Sequence, residues 1–328
     1  MRNRAVLALL SIAVVVPVAP ASGQNVEIRE WPVEWEGRPR DPYVDGQGIV
    51  WFVGQAGNYI ANFDPTTEQF KRFEIPEGSH PHNLIVDTDG TVWYAGNRDA
   101  YIGALSPETG QVKRYDMPNP EARDPHTLVF DDAGNIWFTV QGGNFIGRLN
   151  KSTGKVDLVA SKTERSRPYG IEIDSQGRPW INLFGTNKLA TIDPGTMTLR
   201  EIELPRADAQ SRRIAVTPDD MVWYVDYQGG YLGRYDPKTS QFQEWASPSA
   251  AESQPYAMGQ DAQGRLWFVE TGVDPNQFVG FDPETEEFFS VTPIPSGAGA
   301  VRHMVFHGPT NSFWFGTDTN NIARATLN

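Results

Sequence analysis

The chain has 328 residues, a net charge of −13, 39% hydrophobic and 21% charged residues, and no cysteine. The missing cysteine excludes disulfides, thiolate metal sites and a cysteine nucleophile. The acidic balance argues against nucleic acid, whose binding depends on lysine and arginine neutralising phosphates.

Arg2 and Arg4 precede an apolar run from Ala5 to Val18, and Ala19-Pro20-Ala21 follows as a small-residue cleavage pattern. The run is too short for a membrane span and polar sequence follows it, so residues 1–21 read as a secretory leader. Residues 22–328 are then the mature domain. An exported chain without disulfides suits a bacterial periplasm or exterior. Next comes Val26-Glu-Ile-Arg-Glu-Trp31-Pro32, a short strand pattern without a partner nearby.

Seven tryptophans then recur 42 to 47 residues apart: Trp51, Trp93, Trp137, Trp180, Trp223, Trp267 and Trp314. A fixed period in this range marks repeated structural units. The third unit shows the pattern. Leu128 and Phe130 alternate as in a half-buried strand, and Asp131-Asp-Ala-Gly134 is turn chemistry. Ile136-Trp137-Phe138 is a second strand, and Ile146 and Leu149 mark a third. Endings such as Lys71-Arg-Phe73-Glu-Ile-Pro76 supply a fourth. Turns of the Asp64-Pro65-Thr-Thr67 kind separate the third and fourth strands, with proline presetting φ. Four short antiparallel strands in each of seven units predict an all-β fold, a seven-bladed β-propeller. The last unit lacks a fourth strand, so residues 26–32 are expected to pair into it and close the ring. Each tryptophan is expected to pack between blades, where a buried aromatic removes roughly 150–250 Å² from water.

Function is sought where the repeat breaks. Counting from the proline that opens each unit puts Tyr43, His82, His126, Tyr169, Arg213, Tyr256 and His303 at one position of the innermost strand. In a propeller these residues line the central channel. A second set follows each tryptophan: Gln55, Asn97, Gln141, Asp226, Glu270 and Asp318. Its carboxylates cluster in blades five to seven, and hard cations such as Mg²⁺ prefer such oxygens. Gly78-Ser-His80 is no nucleophile elbow, and no phosphate-binding or dinucleotide fingerprint stands in a βαβ setting. Three unevenly spaced ring histidines do not make a four-histidine iron centre. The tryptophans are not followed by aspartate as in WD40 repeats.

The unit Pro-[His/Tyr]-x-[Ile/Leu], Asp-x-x-Gly-x-[Ile/Val]-Trp-Phe, Asn-x-Ile-Gly-x-[Leu/Phe] resembles the virginiamycin B lyase and streptogramin lyase family over nearly all of residues 26–328. The resemblance implies a seven-bladed propeller that opens cyclic streptogramin B depsipeptides by Mg²⁺-assisted elimination at the ester. Carried onto this sequence, the base falls on His303 and one metal-binding acid on Asp318; Glu270, from the acids that follow the tryptophans, is a second candidate ligand beside it. Another metal-binding glutamate falls on Val301, and a substrate-contacting histidine falls on Tyr256. Rotated around the ring, His82, Asp124, His126 and Gln141 mimic the same constellation. Arg302 and Arg213 are the cationic residues that could steady a developing enolate. Two readings follow. One is an exported, monomeric lyase-like propeller with a small-molecule or cyclic peptide ligand in its channel. The other is a non-catalytic periplasmic propeller that binds a small molecule or partner protein. A six-bladed lactonase with a Ca²⁺ site matches less well. No nucleic-acid or membrane partner is expected.

Overall fold

In the computed structural model, residues 25–328 are described, so the predicted leader lies outside the described residues. The described residues form seven four-stranded antiparallel sheets, with two 3₁₀ turns, Ala250–Glu252 and Gly308–Thr310, as the only helix among them. Six blades use consecutive strands. The seventh takes its outermost strand, Val26–Pro32, from the start of the described chain and pairs it with Asn321–Leu327. Closing the ring this way leaves the terminal strand paired instead of exposed as an edge.

The tryptophans sit where the period placed them. All seven are buried. Trp51 packs with Val86 and Tyr94 of blade two, and Trp137 packs with Ile171 and Ile181 of blade four. The turn aspartates have a role that the period alone does not reveal. The indole N–H donates to Asp45 in blade one (2.8 Å), Asp131 in blade three (3.0 Å), Asp174 in blade four (2.9 Å) and Asp261 in blade six (2.9 Å). Thr217 accepts the same bond in blade five at 3.2 Å. Each such side chain therefore folds its own turn and satisfies a buried indole.

The innermost strands of blades one to six share one irregularity. In blade two the pairing steps from Pro81 opposite Gly96 to Leu84 opposite Tyr94, with a register shift between. Five other blades shift at the equivalent place. Such bulges re-aim side chains. Here they occur where two successive residues reach the axis. In blade seven residues 301–303 are irregular, and the strand begins only at Met304.

Candidate functional site

Counting back from the residue opposite each tryptophan fixes the equivalent positions. Tyr43, Ile85, Val129, Glu172, Ala215, Gly259 and Val305 face the seven tryptophans. The ring that contains His82 is therefore Arg40, His82, His126, Tyr169, Arg212, Tyr256 and Arg302. The next ring inward is Asp41, Asn83, Thr127, Gly170, Arg213, Ala257 and His303. This corrects the ring read from the sequence. Tyr43 lies three residues beyond that ring, while Arg213 and His303 lie one residue beyond it. The reason is local. Blade one has both Pro39 and Pro42, so the count can start at either. Blades five and seven have Ser211 and Val301 where others have proline.

Contacts across the ring place these groups on the axis. Arg213 of blade five donates through Nη2 to Asp41 of blade one (3.0 Å), through Nη1 to Thr127 of blade three (3.1 Å), and through Nε to the Arg302 carbonyl of blade seven (2.8 Å). Arg40 donates to Asp41 (3.0 Å) and Gln55 (2.8 Å). The His82 and His126 rings lie 3.4 Å apart by their centroids, with Tyr169 4.0 Å from His126. Tyr169 and Tyr256 share a hydrogen bond, and Arg212 lies 3.9 Å over the Tyr256 ring. Arg302 makes a two-pronged ion pair with Asp318 on the outer side.

Burial alone pushes the Asp41 carboxyl up, but the Arg40 and Arg213 guanidiniums outweigh it and hold it far below the carboxylate range. Burial, then the same arginines, hold His82 well below its ordinary value. His126 is lowered by burial and by His82, and His303 falls to about 3 through burial and Arg213. All three imidazoles are neutral near pH 7. Burial raises Tyr169, yet Arg212, Arg213 and Arg40 bring it below the usual tyrosine value. Tyr256, its partner, is raised by burial.

Asp41 is the one carboxylate in these two rings, against four guanidiniums. Arg212 has no carboxylate partner among the described residues. Arg40 Nη2, Arg212 Nε and His82 Nδ1 find no hydrogen-bond partner in the protein. Buried cations and donors left in this way are costly unless something pairs with them.

The rim above the rings has its own signature. Arg38, His80, Asp124, Arg167 and Gln254, each just before the opening proline of its blade, have φ between 42° and 66°. Left-handed backbone at non-glycine residues costs energy and collects at functional sites. A following proline ordinarily favours extended backbone at these places, so the X-Pro dipeptides do not announce the left-handed conformation. Two hollows open here and share Asp124. One includes His80, Asn97 and Arg98, and the other includes Gln141, Arg165 and Arg167.

The expected metal ligands do not assemble. Glu270 is fully buried and accepts from the Ser249 N–H (2.9 Å) and Oγ (2.6 Å), so it caps a loop. Asp226 is held by Arg206 and the Gln210 N–H. Asp318 is taken by Arg302, with Arg38 at 3.9 Å. Val301, where the resemblance puts another ligand, is a core residue. Among the described residues no group of three or more His, Asp or Glu could hold a metal ion. The donor set does not fit Mg²⁺.

The profile of the virginiamycin B lyase family matches residues 27–192 and 155–328. The chain belongs to that family. Virginiamycin B lyase from Staphylococcus aureus superposes with a TM-score of 0.84 at 24% identity, covering 93% of this chain and 100% of that one. A streptogramin B lyase gives 0.83 at 25% identity, covering 93% and 98%. A catalytically inactive His→Ala variant of the S. aureus lyase with quinupristin gives 0.84 at 24%, covering 93% and 100%. No curated protein matches the chain significantly. These likenesses establish a shared propeller.

Proposed function

We propose that this family member, exported by its leader, takes a ligand that carries or develops negative charge at the arginine-lined end of its axis. There it acts as a lyase on an ester-linked cyclic peptide or lactone. One observation carries this reading: Arg40, Arg212 and Arg302 occupy the same position in three blades, above Arg213, and while Asp41 pairs with Arg40 and Arg213 and Asp318 with Arg302, Arg212 has no carboxylate partner among the described residues. Family membership supports the reaction class.

Elimination removes a proton from the carbon beside a carbonyl and places charge on the carbonyl oxygen. The carbon–oxygen bond one carbon further then breaks, a carbon–carbon double bond forms, and the carboxylate leaves without water being added. Guanidinium donors are suited to the oxyanion that develops. One of them, Arg302, adjoins Val301 and pairs with Asp318, the two positions where the family resemblance implies metal ligands. His82 is neutral and shares the ring with these arginines, its Nδ1 3.9 Å from Asp41 and without a hydrogen bond. An anionic ligand there raises its proton affinity, which burial and the arginines have lowered. His303, the base that the resemblance implies, belongs to the inner ring and lines the cavity on the other side of the Arg213–Asp41 plug. Binding without turnover is the second reading, favoured by His82 and His126 being only 6% and 1% exposed.

Incubation with a streptogramin B depsipeptide, followed by mass spectrometry, separates the outcomes. Elimination gives a linear product of unchanged mass, and hydrolysis adds one water. Turnover is expected to persist in chelator and to fall by roughly 10²-fold or more in Arg212→Ala. Binding with no product supports the second reading. Neither binding nor product, or turnover abolished by chelator, overturns the proposal.

A further inference from the structure

The opposite end of the axis carries a second cavity. The residues facing the seven tryptophans form a third ring, and six of them are Tyr43, Ile85, Val129, Ala215, Gly259 and Val305. The seventh is Glu172 of blade four, on the innermost strand Pro168–Ile173. This ring lines a cavity of about 380 Å³, within the range of small-molecule sites, whose inner end is formed by Asn83 and His303. The remaining wall is mostly aliphatic and aromatic, and no lysine or arginine lines it.

Apart from the Tyr43 phenol, which can donate or accept, the polar groups left over in this cavity are acceptors. Among the described residues the half-buried Glu172 carboxylate has no hydrogen bond and no ion pair, and Arg213 is the charge that offsets the effect of its burial. Gln260 Nε2 donates to the Val216 carbonyl (2.7 Å), which leaves its Oε1 without a partner. His303 Nδ1 is also unpartnered, and in the Nε2–H tautomer it accepts. A carboxylate in apolar surroundings calls for a charged donor. A neutral ligand leaves that charge unpaired, and an anionic one opposes it.

We propose that this cavity binds a small amphiphilic amine, with its apolar body against Ile85, Val129, Met258 and Phe306 and its ammonium group on Glu172. The inference concerns the end of the axis opposite the arginines and is independent of the lyase reading.

The probe is 2-phenylethylamine, titrated calorimetrically into the full chain, with 2-phenylethanol and 3-phenylpropionate as neutral and anionic isosteres. The amine is expected to bind about ten-fold tighter than the alcohol, and the carboxylate not to bind. Acid should weaken amine binding. Burial pushes Glu172 up to about 7 against the pull of Arg213 on the neighbouring strand. The other titratable groups across the cavity, Tyr43 and His303, stay neutral, the phenol raised by burial and the imidazole held near 3. Amine affinity should therefore drop about ten-fold from roughly pH 8 to roughly pH 6, with the alcohol unaffected. Glu172→Gln, checked for an intact melting transition, should bind amine and alcohol equally. Equal affinities in the unmodified chain overturn the proposal, as does a pH-independent amine affinity or no amine binding at millimolar concentration.

Discussion

Asp41 holds two guanidiniums that come from opposite sides of the ring, Arg40 at 3.0 Å and Arg213 at 3.0 Å. Removing that charge leaves both cations buried without compensation. Asp41→Asn is expected to destabilise the chain by about 3–5 kcal/mol, measured by urea unfolding. A loss below about 1 kcal/mol would show that water already screens the pair. The imidazoles give a pH signature with a definite sign. His82, His126 and His303 are all lowered in the folded state, so the unfolded chain binds more protons once pH falls below about 6.5. Each then removes up to about 1.4 kcal/mol of stability per pH unit on acidification. Asp41, lowered in the fold, adds a further loss only below its ordinary range near 3.8. Glu172, raised to about 7, acts in reverse and loses stability as pH rises through 7. The three imidazoles outnumber it, so the urea midpoint should fall steadily from about pH 7 to about pH 5. A flat profile there would contradict neutral burial of the histidines.

At the scale of the blade, one carboxylate closes a turn and anchors a core indole. In blade six, Asp261 accepts the Gln263 N–H at 2.9 Å and the Arg265 N–H at 3.0 Å, together with Trp267 Nε1 at 2.9 Å and Arg265 Nε at 2.7 Å. Asp261→Ala leaves a fully buried indole N–H unpaired and should cost about 2–3 kcal/mol. Asp261→Asn keeps an acceptor and should recover part of that loss. Equal losses in the two variants would mean that charge, and not the hydrogen bond, matters. The turn itself was legible as Asp-x-x-Gly, and the strands around it were legible from their alternation. What escaped were partners supplied from outside the repeat. An acid after Trp-Phe, such as Glu270, suggests a metal ligand only until its neighbour is known, and that neighbour, Ser249, comes from the loop that joins blades five and six. The axial ring slipped for a related reason. Proline marks the start of the innermost strand in most blades, but Ser211 and Val301 replace it in two, and a single misplaced residue exchanges Arg212 for Arg213 and Arg302 for His303.

The ring as a whole is held shut by one strand. Val26–Pro32 pairs along its full length with Asn321–Leu327, and Trp31 stacks on Trp314 at 5.5 Å and meets Phe63 of blade one at 5.1 Å. Asn320 Nδ2 adds bonds to the Val33 and Trp35 carbonyls at 3.0 and 3.2 Å, tying the seventh blade to the segment that enters the first. The closing strand thus joins the seam in three ways: ladder, aromatic stack and side-chain clasp. Trp31→Ala removes the stack alone and should cost about 3–5 kcal/mol. Deleting residues 22–32 removes the ladder too, exposing the edge of Asn321–Leu327 and the Trp314 face together. An unpaired edge beside apolar surface recruits other chains, so the truncated protein is expected to melt earlier than Trp31→Ala and to run as oligomers in size-exclusion chromatography. Because the rings meet across the axis through Arg213, Asp41 and Thr127, opening the seam between blades seven and one should also loosen the arginine site. Ligand affinity at that site should then fall in the truncated chain even in its monomeric fraction. A truncated chain that stays monomeric, melts unchanged and binds ligand as before would show that the other blades hold the ring by themselves.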